Sequence, residues 1–134
     1  MMSQVWRRDI FQGKVALVTG GAGTICRRMT EALVLLGADA AIIGRRKEVT
    51  EQAAKEMSAL RAGARVIGIA ADVRNMESMR QAAEQTVREL SRIDFVVAGA
   101  AGNFLAPVSE LSANAFKTVM DIDVMGTFHT VGTV

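Results

Sequence analysis

The run Lys14-Val15-Ala16-Leu17-Val18-Thr19-Gly20-Gly21-Ala22-Gly23-Thr24-Ile25-Cys26 constrains this chain more than any other stretch. It reads as a short apolar strand, a glycine-rich turn and the first turn of a helix. Ala16, Leu17 and Val18 leave no polar face, the pattern of a strand buried on both sides in a parallel sheet. Gly20, Gly21 and Gly23 permit backbone angles and close approaches that a Cβ would forbid. The first N–H groups of the helix have no partner within it, and its dipole presents the positive end there. Such a turn seats a phosphate or pyrophosphate. The same residues also suit a plain tight turn, so the surroundings decide.

With the segments that follow, the chain reads as four strand–helix units in alternation. Ile25–Leu36 predicts a helix with Ile25, Met29, Ala32, Leu33 and Leu36 on its buried face and Gly37 as its C-cap. Residues 40–44 form strand two, and 49–60 form a helix burying Val49, Ala53, Met57 and Leu60 before a stop near Gly63. Residues 65–71 form strand three. The helix 76–90, capped by Asn75, buries Met76, Met79, Ala83, Val87 and Leu90. Residues 93–98 form strand four, followed by a second small-residue turn, Gly99-Ala100-Ala101-Gly102-Asn103. Ser112 caps a last helix from about Ala113, with Leu111 and Phe116 as a hydrophobic staple and a kink further on. This order predicts an α/β fold, a Rossmann-like doubly wound parallel sheet whose ligand sits at the carboxyl ends of the strands.

Composition supports one domain and narrows its partners. Of 134 residues, half are hydrophobic and 22% charged, enough for a core and too apolar for disorder. The net charge is +2 with no basic tail, which gives no footprint for nucleic acid. No apolar run reaches membrane-spanning length, and Met1–Phe11 lacks the pattern of a signal peptide. Trp6, Ile10 and Phe11 are expected to anchor that lead-in. One cysteine and one histidine exclude an internal disulfide and speak against a metal site. Cys26 and the methionines read as packing, and His129 as surface or packing.

The strand ends carry the chemistry. Dinucleotide sites usually place an acidic residue after strand two to bond the ribose hydroxyls; here Arg45-Arg46-Lys47 stands there. Cations at that point suit a 2′-phosphate, so NADPH is preferred over NADH; the alternative is a solvated helix start. Asp72 ends strand three, either beside an adenine pocket or as a helix cap.

These residues resemble the short-chain dehydrogenase/reductase family. Its Thr-Gly-xxx-Gly-x-Gly pattern stands here as Thr19-Gly20, with Thr24 and Cys26 replacing the later glycines. Its Asp-Val after strand three matches Asp72-Val73, and its Asn-Asn-Ala-Gly after strand four appears as Ala98-Gly99-Ala100-Ala101-Gly102, without the asparagines. Within the family, Ala100–Phe104, Asn114–Lys117 and Met120–Asp123 resemble the peroxisomal 2,4-dienoyl-CoA reductases, and Gly23–Arg27 resembles the fungal members especially.

The resemblance implies NADPH-dependent reduction of 2,4-dienoyl-CoA to 3-enoyl-CoA in fatty-acid β-oxidation, with a fatty acyl-CoA substrate and a peroxisomal location. It implies Asp123 as the catalytic residue, acting with a downstream lysine on a proton-donating water. It implies cofactor contacts from Gly20, Gly21, Thr24, Ile25, Arg45, Asp72 and Val73. Arg74, Phe104, Ser112 and Asn114 would line the acyl-CoA side. Residues 1–134 would then be the NADP-binding N-terminal half of a homo-oligomeric reductase, without the lysine-bearing helix. The alternatives are a non-catalytic nucleotide-binding module and an inert truncated half-domain.

Overall fold

The computed structural model describes residues 7–134, so the anchoring role expected of Trp6 lies outside the described residues. Strands β1 (Val15–Thr19), β2 (Asp39–Gly44), β3 (Val66–Ala70) and β4 (Phe95–Ala98) form one parallel sheet in the order β3-β2-β1-β4. Helices α1 (Thr24–Leu35), α2 (Lys47–Ser58) and α3 (Met76–Leu90) cross between successive strands. The Rossmann-like sheet expected from the alternation is the one that forms. After β3 the chain returns to pair on the other side of β1, creating a switch point between β1 and β4.

The pleat of β1 divides the core in two. Val15 and Leu17 join Ile43, Ile69, Met79 and Leu90 on the α3 side. Ala16 and Val18 join Cys26, Val34, Ile42 and Met57 on the α1 and α2 side. β1 is buried along its whole length, which accounts for its lack of a polar face.

The helices bury different stripes from those the apolar spacing predicts. In α1 the buried residues are Cys26, Thr30 and Val34, while Ile25 is 75% exposed and Met29 and Leu35 are also exposed. In α2, Ala53 and Met57 are buried as expected, but Thr50 and Ala54 replace Val49 and Leu60. In α3, Thr86 and Ala82 replace Met76 and Val87. A threonine hydroxyl explains the difference each time. Thr30 donates to the Cys26 carbonyl, Thr50 to that of Arg46 and Thr86 to that of Ala82, all at 2.8 Å. With its hydroxyl bonded to the previous turn, threonine enters the core as a β-branched apolar side chain. Of the methionines read as packing, Met57 and Met79 are fully buried, whereas Met29, Met76, Met120 and Met125 are exposed.

Local end signals held. Gly37 takes φ +108°, its N–H bonds the Val34 carbonyl and the Ala38 N–H bonds that of Leu33, a Schellman closure of α1. Asn75 caps α3 through the Ser78 amide at 2.9 Å. Of the lead-in anchors, Phe11 packs edge-on to Phe95 at 5.3 Å, while Ile10 is exposed. The expected last helix is α4 (Ala113–Met120) and α5 (Gly126–Gly132), joined by a π turn at Asp121–Met125. That turn is the physical form of the kink. Ser112 caps α4 through the Ala115 amide, but the staple residue Phe116 is exposed. No helix among the described residues is long and apolar enough to cross a membrane.

Candidate functional site

A cleft of about 950 Å³ opens at the carboxyl ends of the strands. Its floor comes from two glycine turns that pack together. Thr19, at the end of β1, accepts the Gly99 amide at 3.0 Å and the Ala100 amide at 3.2 Å on its hydroxyl. Gly20 adopts φ +67°, and a Cβ there would stand 2.9 Å from the Gly99 carbonyl oxygen. A Cβ on Gly99 would stand 2.2 Å from Cys26 Sγ. These two bare positions let α1 and the β4 turn approach each other, with Cys26 buried as packing between them.

The start of α1 forms one wall through Gly23, Thr24, Ile25 and Cys26. Its N-cap, Gly23, supplies no side-chain acceptor, and the first turn carries no acidic residue. The starts of α3 and α4, by contrast, are capped by Asn75 and Ser112. The opening amides of α1 are therefore left facing a cleft with the positive end of the dipole. Gly21 does not line the cleft. A Cβ there would meet the Ile42 side chain at 2.6 Å, so the residue packs the turn onto β2.

The second wall comes from the ends of β2 and β3. Gly44, Arg45 and Arg46 line it, and among the described residues neither arginine forms an ion pair. Lys47 lies in the α2 helix and approaches Glu51 at 3.9 Å, a solvated pair at the helix start. Asp72 and Val73 also line the cleft. The carboxylate of Asp72 accepts the Arg74 guanidinium at 2.6 Å and the Arg74 backbone N–H at 3.0 Å. That guanidinium holds the Asp72 carboxyl below its ordinary value against the opposing effect of burial, and Arg45 adds to the lowering. Asp72 is thus not the helix cap that the sequence left open, since Asn75 fills that role.

Of the expected site residues, Gly20, Thr24, Ile25, Arg45, Asp72 and Val73 converge on this cleft. Asp123 does not line it, although its neighbour Ile122 does. Asp123 Oδ1 instead accepts the Gly102 amide at 2.8 Å. The four residues expected on the acyl-CoA side are not gathered in the cleft. Arg74 is engaged by Asp72, and Ser112 Oγ is occupied at the α4 cap. Phe104 is exposed, and Asn114 is exposed with its carbonyl accepting the Thr118 hydroxyl. Arg46, from the basic run after β2, and Ala100 and Asn103 also line the cleft, although none was expected as a cofactor contact. The signal for Asn103 was its place in the second small-residue turn.

A parallel sheet with a switch point, a glycine floor and an uncapped helix over the strand ends defines a Rossmann-like nucleotide-binding architecture. Residues 14–134 match the short chain dehydrogenase family, and the chain belongs to it. The peroxisomal 2,4-dienoyl-CoA reductase of Saccharomyces cerevisiae, described as (3E)-enoyl-CoA-producing, is 59% identical over 127 residues, covering 93% of this chain and 44% of that protein. Its Danio rerio counterpart is 42% identical, covering 96% of this chain and 42% of its own length. The crystal structure of an NAD+-bound xylitol dehydrogenase superposes with a TM-score of 0.88 at 29% identity, over 93% of this chain and 48% of that one. The chain spans less than half the length of these relatives.

Proposed function

We propose that this chain is the nucleotide-binding portion of an NADPH-dependent 2,4-dienoyl-CoA reductase of fatty-acid β-oxidation, acting in the peroxisome. The observation that carries the reading is the pairing of an uncapped α1 start with Arg45 across one cleft. The residues present fit a dinucleotide. Gly20 lines the cleft beside Gly23, and the opening amides of α1 suit a pyrophosphate. Arg45 suits a 2′-phosphate through charge-assisted hydrogen bonds. Asp72 and Val73 bound the adenine end. When bound, the nicotinamide supplies a hydride to the conjugated diene.

Asp123 is the proposed catalytic residue, held by the Gly102 amide, with a proton-donating water as its partner. The relatives named as peroxisomal 2,4-dienoyl-CoA reductases support the substrate class and the location. A second reading, nucleotide binding without catalysis, is favoured by one observation: Arg74, Phe104, Ser112 and Asn114 do not line the cleft.

NADPH oxidation in the presence of a 2,4-dienoyl-CoA ester tests the proposal. Turnover supports the reductase. A nucleotide-dependent rise in Tm without turnover supports the binding module, and the absence of both overturns the nucleotide assignment.

A further inference from the structure

His129 is the chain's single histidine, and the proposed reaction leaves it without a role. It lies on α5, half-buried, with Nδ1 at 2.8 Å from the carbonyl oxygen of Val73. A carbonyl only accepts, so Nδ1 carries the proton. Among the described residues no other hydrogen bond to that carbonyl is recorded. Val73 meets α5 a second time through its side chain. A Cβ on Gly126 would stand 2.6 Å from Val73 Cγ2, so the bare Gly126 lets the helix backbone close onto it. Val73 is 7% exposed, and it lines the cleft directly after Asp72.

The π turn makes this double contact compatible with the Asp123 anchor. One inserted residue rotates everything after it by about 100° about the helix axis. Asp123 lies inside the turn and bonds the β4 loop through Gly102, while Gly126 and His129 follow it and close on the β3 end. One helix thereby braces two cleft-lining loops that are far apart in sequence.

We infer that His129 is a positioning residue for the nucleotide, acting through Val73 on the loop that carries Asp72. Three local bonds hold that loop from within: the Asp72 amide to Ser78 Oγ, the Asn75 amide to the Asp72 carbonyl, and the Arg74 amide to the Asp72 carboxylate. The Arg74 amide and the Val73 carbonyl share one planar peptide unit, held by the Asp72 carboxylate on one edge and tied to α5 by His129 on the other. The effect falls at one end of the ligand. The inference rests on the nucleotide reading above.

The test measures binding of 2′,5′-ADP and of nicotinamide mononucleotide, the two halves of the oxidised cofactor NADP+, by calorimetry. His129→Ala is expected to weaken 2′,5′-ADP about fivefold, the scale of one lost hydrogen bond, and to leave the mononucleotide unchanged. His129→Asn, whose amide N–H stands where Nδ1 does, is expected to restore binding. Equal weakening of both halves, or none, overturns the inference. Amide hydrogen exchange on the ligand-free protein separates its failure from that of the nucleotide reading. If wild type binds neither half, that reading and the positioning role fall together. Faster exchange confined to residues 72–74 in His129→Ala then still supports the brace itself, and unchanged exchange overturns that as well.

Discussion

The Gly102 amide donates a 2.8 Å hydrogen bond to Asp123 Oδ1, tying the loop after β4 to the π turn. The bare Cα of Gly102 also lies against Ile122, where a Cβ would stand 2.8 Å from Cδ1. An aspartate expected to act in catalysis is therefore also an anchor. Asp123→Asn keeps an acceptor for Gly102 and removes the charge. It is expected to lower dienoyl-CoA turnover by about a hundredfold or more, the lower range for losing a general acid–base group, with NADPH affinity unchanged. Asp123→Leu removes the acceptor too and should lose a further ~1–2 kcal/mol of stability. Steady-state kinetics beside urea unfolding distinguish the two roles; unchanged turnover in Asp123→Asn removes the residue from the mechanism.

Arg45 faces the cleft from the end of β2 without an ion-pair partner among the described residues. Arg45→Ala should weaken NADPH by about tenfold to a hundredfold, the worth of charge-assisted hydrogen bonds, and NADH far less. Parallel titrations read the ratio. An equal loss for both nucleotides sinks the 2′-phosphate assignment.

Gly99 and Cys26 are coupled by space. A methyl group on Gly99 would stand 2.2 Å from Cys26 Sγ, so Gly99→Ala should destabilise by about 1–3 kcal/mol through overpacking. Cys26→Ala clears that space, and the double variant is expected to be more stable than the sum of the single losses predicts. Strict additivity in thermal melts would mean that the clash is relieved elsewhere.

Arg61 holds the end of α1. Its Nε donates to the Val34 carbonyl at 2.9 Å, and one Nη reaches the carbonyls of Gly37 and Ala38 and the Asp39 carboxylate. Arg61→Ala should cost about 2–3 kcal/mol, because buried helix-end carbonyls lose their donors. Lysine, a point charge without the planar fork, should recover little of it. A Tm equal to wild type in either variant would show that water replaces the guanidinium without loss.

Asp72 sets a pH dependence of known sign. Arg74 holds its carboxyl below the ordinary value of 3.8 despite burial. A carboxyl lowered by folding contributes stability that is present above its unfolded value, about 4, and is lost as the pH falls through the lower folded value. Arg74→Gln should therefore lower Tm at about pH 6, with the gap from wild type closing towards about pH 2. A gap that stays constant across that range would show that the pair is not the linked group.

What could be read in advance followed from range. The β1 run, the glycine turn and the caps at Gly37, Asn75 and Ser112 are set by residues within a few positions of each other. Arg45 and Asp72 were legible because a parallel sheet brings the end of every strand to one edge. The helix faces were less legible. Thr30, Thr50 and Thr86 count as polar in a hydropathy pattern, yet each satisfies its hydroxyl on its own helix. Glycine at position 21 allows a close approach, but sequence does not say to what; in the fold the bare Cα lies against Ile42.

By itself the sequence determined the order of strands and helices, the parallel sheet and the glycine floor of the cleft, because periodicity and turn chemistry act locally. Only the tertiary structure decided where the π turn places Asp123, Gly126 and His129. That phase depends on two contacts made across the fold, to Gly102 over 21 residues and to Val73 over 56. No local pattern encodes a helix rotation whose stabilisation comes from partners that far away.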